Sequence, residues 1–227
     1  MKTVYNKNDK AIILKDELGK GGEGTIYSVD TKTVAKIYHT KSLTPEKEGK
    51  IKALIAKKIR LEGICAPIES LFDERGHFVG YLMPKANAES GFELQTCVFN
   101  PALLKLKLAD WDRINLANLS ISILEKIKLL HENDIIIGDI NPFNILIKDD
   151  KTVYFVDVDS YQVDNYPCPV GTVHFTAPEI QNVDSFNKLI RTKEHEYFAV
   201  ATLLFMIFHA GKTPFSFQGG GNMKENI

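Results

Sequence analysis

Residues 135–147 read I-I-I-G-D-I-N-P-F-N-I-L-I, apolar at both ends, with Gly138, Asp139, Asn141, Pro142 and Asn144 between. Burial alone favours a continuous strand here, so a carboxylate and two amides in the middle need a chemical reason. Downstream, the strand-like runs 144–147 and 153–156 are joined by K-D-D-K, which predicts a hairpin. The segment therefore reads as two short buried strands interrupted by a polar loop.

Upstream, the runs 11–18, 25–29, 34–38, 67–72 and 77–83 alternate like strands, the last two joined by the turn D-E-R-G, and predict a five-stranded antiparallel sheet. Thr44-Pro45 opens one helix among them, with Ile51, Leu54 and Ile55 at helical spacing. After Pro84 the pattern turns mostly helical. Asn100-Pro101 opens a short helix, and Asp110 is the expected cap of a long one whose Ile114, Ala117, Ile121, Leu124 and Ile127 form the buried face. Residues 197–208 read as a further buried helix. The fold class is α+β in two parts, 1–84 and 85–227. The latter reads as C-terminally incomplete, because Q-G-G-G-N-M-K-E-N-I has the pattern of a loop entering another element.

The 227 residues carry 28 Lys plus Arg against 29 Asp plus Glu, and a net charge of −1 gives no general attraction to nucleic acid or an anionic membrane. Cys65, Cys97 and Cys168 are odd in number and lack C-x-x-C spacing, so neither a disulfide framework nor a zinc site is expected. The first ten residues lack the apolar core of a signal peptide, and no apolar run has the length of a membrane span. A cytoplasmic location is the expectation.

Residues 18–27, L-G-K-G-G-E-G-T-I-Y, place Gly19, Gly21 and Gly24 in a G-x-G-x-x-G spacing between two strands, where bare backbone can approach a phosphate. A strand after the glycines excludes the dinucleotide-binding version, which needs a helix. Lys36 lies inside the apolar strand V-A-K-I-Y. Glu48, three residues before Ile51 on the apolar side of the helix, is its expected partner.

With these, H-E-N-D-I-I-I-G-D-I-N-P-F-N-I-L (131–146), V-Y-F-V-D-V-D (153–159) and G-T-V-H-F-T-A-P-E (171–179) follow in order, and the chain resembles the eukaryotic-type protein kinase family over 19–215. A narrower resemblance, carried by G-D-I-N-P-F-N, V-D-V-D-S-Y-Q, P-C-P-V-G-T and R-T-x-E-H, is to bacterial kinases of tellurite-resistance phosphorylation modules. Those kinases accompany a phosphatase and a von Willebrand A-type protein.

The resemblance implies a two-lobed kinase fold that binds ATP with Mg²⁺ or Mn²⁺. It implies that the turn Gly19, Lys20, Gly21, Gly22, Glu23 and Gly24 covers the phosphates, and that Lys36, held by Glu48, contacts them. Ile26, Ala35 and Leu146 would sandwich adenine, Met83 would be the gatekeeper, and Pro84 to Ala86 the hinge. Asp139 would orient the acceptor hydroxyl with Thr172 fixing it, and Asn144 and Asp157 would ligate metal. Three departures bear on activity. Ile137-Gly138 replaces His-Arg, which removes the usual receiver of an activating phosphate. Asn141 stands in place of a lysine aimed at the γ-phosphate, which implies slow turnover. Val158-Asp159 replaces Phe-Gly beside the metal ligand. Glu179 would pair with an arginine in a later helix, so a longer chain or a covering partner is expected. The implied function is serine/threonine phosphorylation of a protein partner. A nucleotide-binding pseudokinase scaffold and a small-molecule phosphotransferase are the alternatives.

Overall fold

The computed structural model describes residues 2–87 and 92–215. They fall into two compact units that part after Asn87. In the first, one antiparallel sheet comprises β1 (Lys2–Tyr5), β2 (Ala11–Leu14), β3 (Glu17–Lys20), β4 (Gly24–Ser28), β5 (Thr33–Tyr38), β6 (Glu69–Phe72) and β7 (Phe78–Pro84). Their order across the sheet is β2-β1-β6-β7-β5-β4-β3. The expected five strands are thus seven: K-T-V-Y forms a strand of its own, and the run 11–18 divides at Lys15-Asp16. The division has a geometric cause. β2 and β3 stand at opposite ends of the order yet are separated by two residues of chain, so the sheet curls until its ends meet. At the seam, Lys15 N–H donates to Ser28 O and Ser28 N–H donates to Asp16 O, both at 2.9 Å. The enclosed face is filled by Val4, Leu14, Ala35, Ile37, Leu71 and Leu82.

Because side chains alternate along a strand, the outer face of β5 carries Val34, Lys36 and Tyr38. Helix α1 (Pro45–Ala56) starts where Thr44 accepts a side-chain hydrogen bond from Lys47 N–H, with Pro45 in its first turn, and buries Ile51 and Leu54. Lys47 Nζ stands 4.9 Å from the centroid of the Tyr38 ring, which places the start of α1 over that outer face.

The second unit contains β8 (Phe92–Glu93), α2 (Leu94–Cys97), α3 (Pro101–Lys107), α4 (Arg113–Glu132), β9 (Ile135–Ile136), β10 (Ile145–Ile147), β11 (Val153–Phe155), β12 (Gln162–Val163) and α5 (Lys193–Phe208). Two small sheets, β11-β10-β8 and β12-β9, bracket the polar loop between β9 and β10. Asp112, not Asp110, caps α4, in a reciprocal capping box with Asn115. The buried face also differs from the expected one: of the residues named, Ile127 is buried, but Ile114, Ile121 and Leu124 are 69%, 54% and 38% exposed, and Leu119, Ile123 and Leu130 are buried in their place. Two interleaved apolar stripes run along this helix, and periodicity alone does not choose between them. The choice is made by Asp150 in the β10–β11 turn, whose Oδ2 accepts from Asn115 and Asn118, each at 2.9 Å, and whose carbonyl accepts from Ser122 Oγ at 3.2 Å. These bonds, that from Asn118 first, hold the Asp150 carboxyl below the usual carboxylate range. α5, the expected buried helix, buries one face with Leu203, Met206 and Ile207 and leaves Tyr197 and Phe208 exposed.

No helix among the described residues is long and apolar enough to cross a membrane. The stripe assignment predicts that Ile123→Ala costs about 2–5 kcal/mol in urea unfolding, by leaving a cavity, whereas Ile121→Ala stays within about 0.5 kcal/mol.

Candidate active site

In the first unit the β3–β4 turn is closed by Gly21 N–H donating to Gly24 O at 2.9 Å. It is tied toward α1 by His39 N–H donating to Glu23 O (2.8 Å), by His39 Nε2 at 3.1 Å from Gly21 O, and by an ion pair between Glu23 and Lys47. Gly24 is required by packing, since a Cβ there would lie 2.6 Å from Ile37 O. The other glycines are not. Nothing lies within 4 Å of a Cβ built on Gly19 or Gly22, the nearest atom to one on Gly21 is 3.8 Å away, and none of the three has a positive φ. The hairpin itself therefore explains Gly24, and the bare backbone at 19, 21 and 22 suits close approach by a ligand such as a phosphate. Lys20 is exposed on β3.

Lys36 is buried, sits opposite Ile26 and Tyr81 in the sheet, and brings Nζ to 5.8 Å from the Tyr38 ring centroid. Val34 pairs with Met83, so Ile26, Val34, Lys36 and Met83 share one face. Ala35 does not. Its side chain packs inside with Leu82 and Ile37, on the face opposite Lys36, and Val34 is the β5 residue beside Lys36 on the outer face. Glu48, the expected partner of Lys36, pairs its carboxylate with Lys52 at 2.7 Å, one turn along α1. Beyond Met83, Lys85 N–H donates to Lys32 O at 2.8 Å. Alternation along β7 then turns the Pro84 carbonyl toward the β6 side, and Ala86 lies two residues past the end of the strand.

In the second unit the β10–β11 register sets Ile145 opposite Phe155, so Asn144 stands opposite Val156, whose N–H donates to Asn144 O at 3.0 Å. Asp157 follows at the same end of the hairpin. Its backbone is left-handed, φ 59°, ψ 33°, which costs an L-residue about 1–2 kcal/mol but is most tolerated by Asn and Asp. The turn is retained because the Asp157 carbonyl accepts from both Ser160 N–H (3.1 Å) and Ser160 Oγ (2.9 Å). Asn144 and Asp157 thus offer hard oxygen donors from one hairpin end, a donor set that fits Mg²⁺ or Mn²⁺. Asp159 is buried and does not meet solvent, and Leu146 is half-buried in β10 opposite Tyr154 and Glu93.

In the loop, Asp139 Oδ1 accepts a 2.8 Å hydrogen bond from Thr172 N–H, so Thr172 engages it through the main chain. Asn141 Oδ1 accepts from Phe143 N–H at 3.0 Å and caps the 3-10 turn Pro142–Asn144. Sequence reasoning missed the groups beneath. Glu196, on α5 and buried, accepts from Gly138 N–H at Oε2 and lies 2.7 Å from His131 Nε2 through Oε1. Arg191 is also buried, against Gly138 and Gly171. The R-T-x-E-H string contained Arg191, but buried and solvated charges are indistinguishable in sequence. None of the three cysteines forms a disulfide and all are buried, and burial pushes the Cys65 thiol up to about 12, which removes it as a thiolate nucleophile.

A family model described as the protein kinase domain matches residues 12–227. The chain belongs to the protein kinase family. Two curated relatives, both described as protein kinase YegI, from Escherichia coli O157:H7 and Escherichia coli strain K12, are 32% identical over 225 and 224 residues. Each match covers 94% of this chain and 34% of the relative, so the chain spans about a third of the length of those relatives. For a kinase, the glycine turn carries a specific expectation. Gly22→Ala leaves thermal stability unchanged or raises it by about 0.4–1 kcal/mol, whereas Gly24→Ala lowers it by about 1–3 kcal/mol through overpacking. Calorimetry of the two variants checks this.

Proposed function

We propose that this kinase domain transfers the γ-phosphoryl group of ATP to a serine or threonine hydroxyl of a protein partner. The observation that carries the reading is the hydrogen bond from Thr172 N–H to Asp139. It couples the carboxylate that would orient the acceptor to the segment G-T-V-H-F-T-A-P-E, which suits a docked peptide better than a small metabolite. In the reaction the acceptor oxygen bonds to the γ-phosphorus as the bond to the ADP oxygen breaks, and Asp139 takes the hydroxyl proton. In the first unit, amides of the bare turn at Gly21 and Gly22, with Lys36, bind phosphate, and Ile26, Val34 and Met83 supply apolar contact for adenine; for the second unit the family resemblance implies the same role for Leu146. The Pro84 carbonyl and Ala86 N–H supply its polar edge. Asn144 and Asp157 would hold Mg²⁺ or Mn²⁺, which when bound neutralises phosphate charge. Glu48 reaches Lys36 by exchanging Lys52 for it.

Asn141 supplies no cation to the γ-phosphate, and one missing charge-assisted bond of about 1.5–3 kcal/mol slows transfer roughly ten- to a hundredfold. The capping bond to Phe143 N–H gives Asn141 a structural role and favours a second reading, a nucleotide-binding pseudokinase scaffold. The narrower resemblance supports a cytoplasmic phosphorylation module in which a von Willebrand A-type protein is the substrate and a phosphatase reverses the reaction.

Transfer of labelled γ-phosphate from Mg-ATP to general protein substrates and to the chain itself tests the reading. Asp139→Asn should lower the rate at least about a hundredfold; equal labelling by wild type and variant removes Asp139 from the mechanism. Mg-ATP raising the melting temperature with no transfer at any protein concentration selects the scaffold. Restoring the lysine is not free of cost: Asn141→Lys loses the cap and about 1 kcal/mol of stability, measured by denaturant unfolding.

A further inference from the structure

The Arg191 guanidinium lies between two glycines of different segments. A Cβ on Gly138 would stand 2.9 Å from its Nη1, and one on Gly171 would stand 2.9 Å from its Nη2. From this seat Nη1 donates to Cys168 O at 2.9 Å and Nη2 donates to Val170 O at 2.7 Å. The Phe186 ring covers it, with Cζ 4.4 Å from the ring centroid. Its main chain is equally fixed: Arg191 N–H donates to Gln162 Oε1 and Arg191 O accepts from Gln162 Nε2, both at 2.7 Å, and Gln162 belongs to β12, which pairs with β9. Arg191 is 3% exposed, with Nη1 and Nη2 both committed to these carbonyls.

Two residues beyond Val170 comes Thr172, whose N–H holds Asp139. A rigid, permanently charged fork bridging two carbonyls sets the path of that segment far more firmly than a lysine ammonium would. We infer that Arg191 is a positioning residue that presets Asp139 by clamping 168–172, doing without phosphate what a phosphate on the loop would otherwise do. This rests on the phosphotransfer reading for its catalytic consequence, but the clamp itself is testable without activity.

Hydrogen exchange followed by mass spectrometry is measured on wild type, Arg191→Ala and Phe186→Leu. Arg191→Ala should speed exchange of the amides at 170–172, that of Thr172 above all, at least about tenfold, and Phe186→Leu should do so to a smaller extent, while α4 amides keep their protection. Where Arg191→Ala loses protection everywhere, Phe186→Leu decides: local loss supports the clamp, and unchanged or global exchange overturns it. In the transfer assay kcat should fall at least about tenfold in Arg191→Ala, with the KM for ATP within about twofold. Treating wild type with a broad-specificity phosphatase should leave its rate unchanged. A rise in KM at constant kcat, or loss of rate on dephosphorylation, overturns the proposal. Absence of transfer by wild type defeats the proposed function alone, since the exchange result still tests the clamp.

Discussion

Burying a carboxylate costs several kcal/mol unless both oxygens are well bonded, and Glu196 meets that condition with His131 at Oε1 and the Gly138 amide at Oε2. Through these two contacts α5 grips the end of α4 and the chain immediately before Asp139. Gly138 has φ +76°, a conformation that a side chain would resist and that packing against Cys168 and Arg191 would in any case forbid. The direction in which Asp139 leaves the β9 strand is therefore fixed from below by a charge and from the side by a guanidinium, before any ligand arrives.

Much of this scaffold was legible from residue pattern. Period-two runs located β4 to β7 and the stretch that divides into β2 and β3, Thr44-Pro45 and Asn100-Pro101 located two helix starts, and the order of the motifs pointed to the kinase family. The misplacements share a cause: the pattern was satisfied in more than one way. In V-A-K-I-Y every neighbour of Lys36 is apolar, so nothing in composition marks Ala35 as interior and Val34 as facing out; the alternation along a strand decides it. In α4 two apolar stripes compete, and a polar tether from Asp150, 28 residues beyond Ser122, selects one. Glu48 and Lys52 form an i, i+4 pair that local geometry favours over a partner on a strand. Long-range polar contacts of this kind leave no periodic trace.

The departures from the kinase pattern take on physical content as a set. Gly138 is small because Arg191 fills the space beside it, and Asn141 closes the turn that carries Asn144. Asp159 is buried instead of reaching solvent. A loop with an arginine moved from its own backbone to a buried seat on another segment trades adjustability for permanence.

The family match begins at residue 12, yet β1 (Lys2–Tyr5) is an inner strand of the first sheet, between β2 and β6. The sheet therefore extends beyond the piece that family comparison recognises. Trimmed to the matched region, the sheet would lose an inner strand: β2 and β6 would present N–H and C=O groups that β1 now pairs, and the loss of Val4 would leave a gap in the interior. Such a fragment would invite strand exchange between copies, a hazard that β1 removes along β2 and at the end of β6.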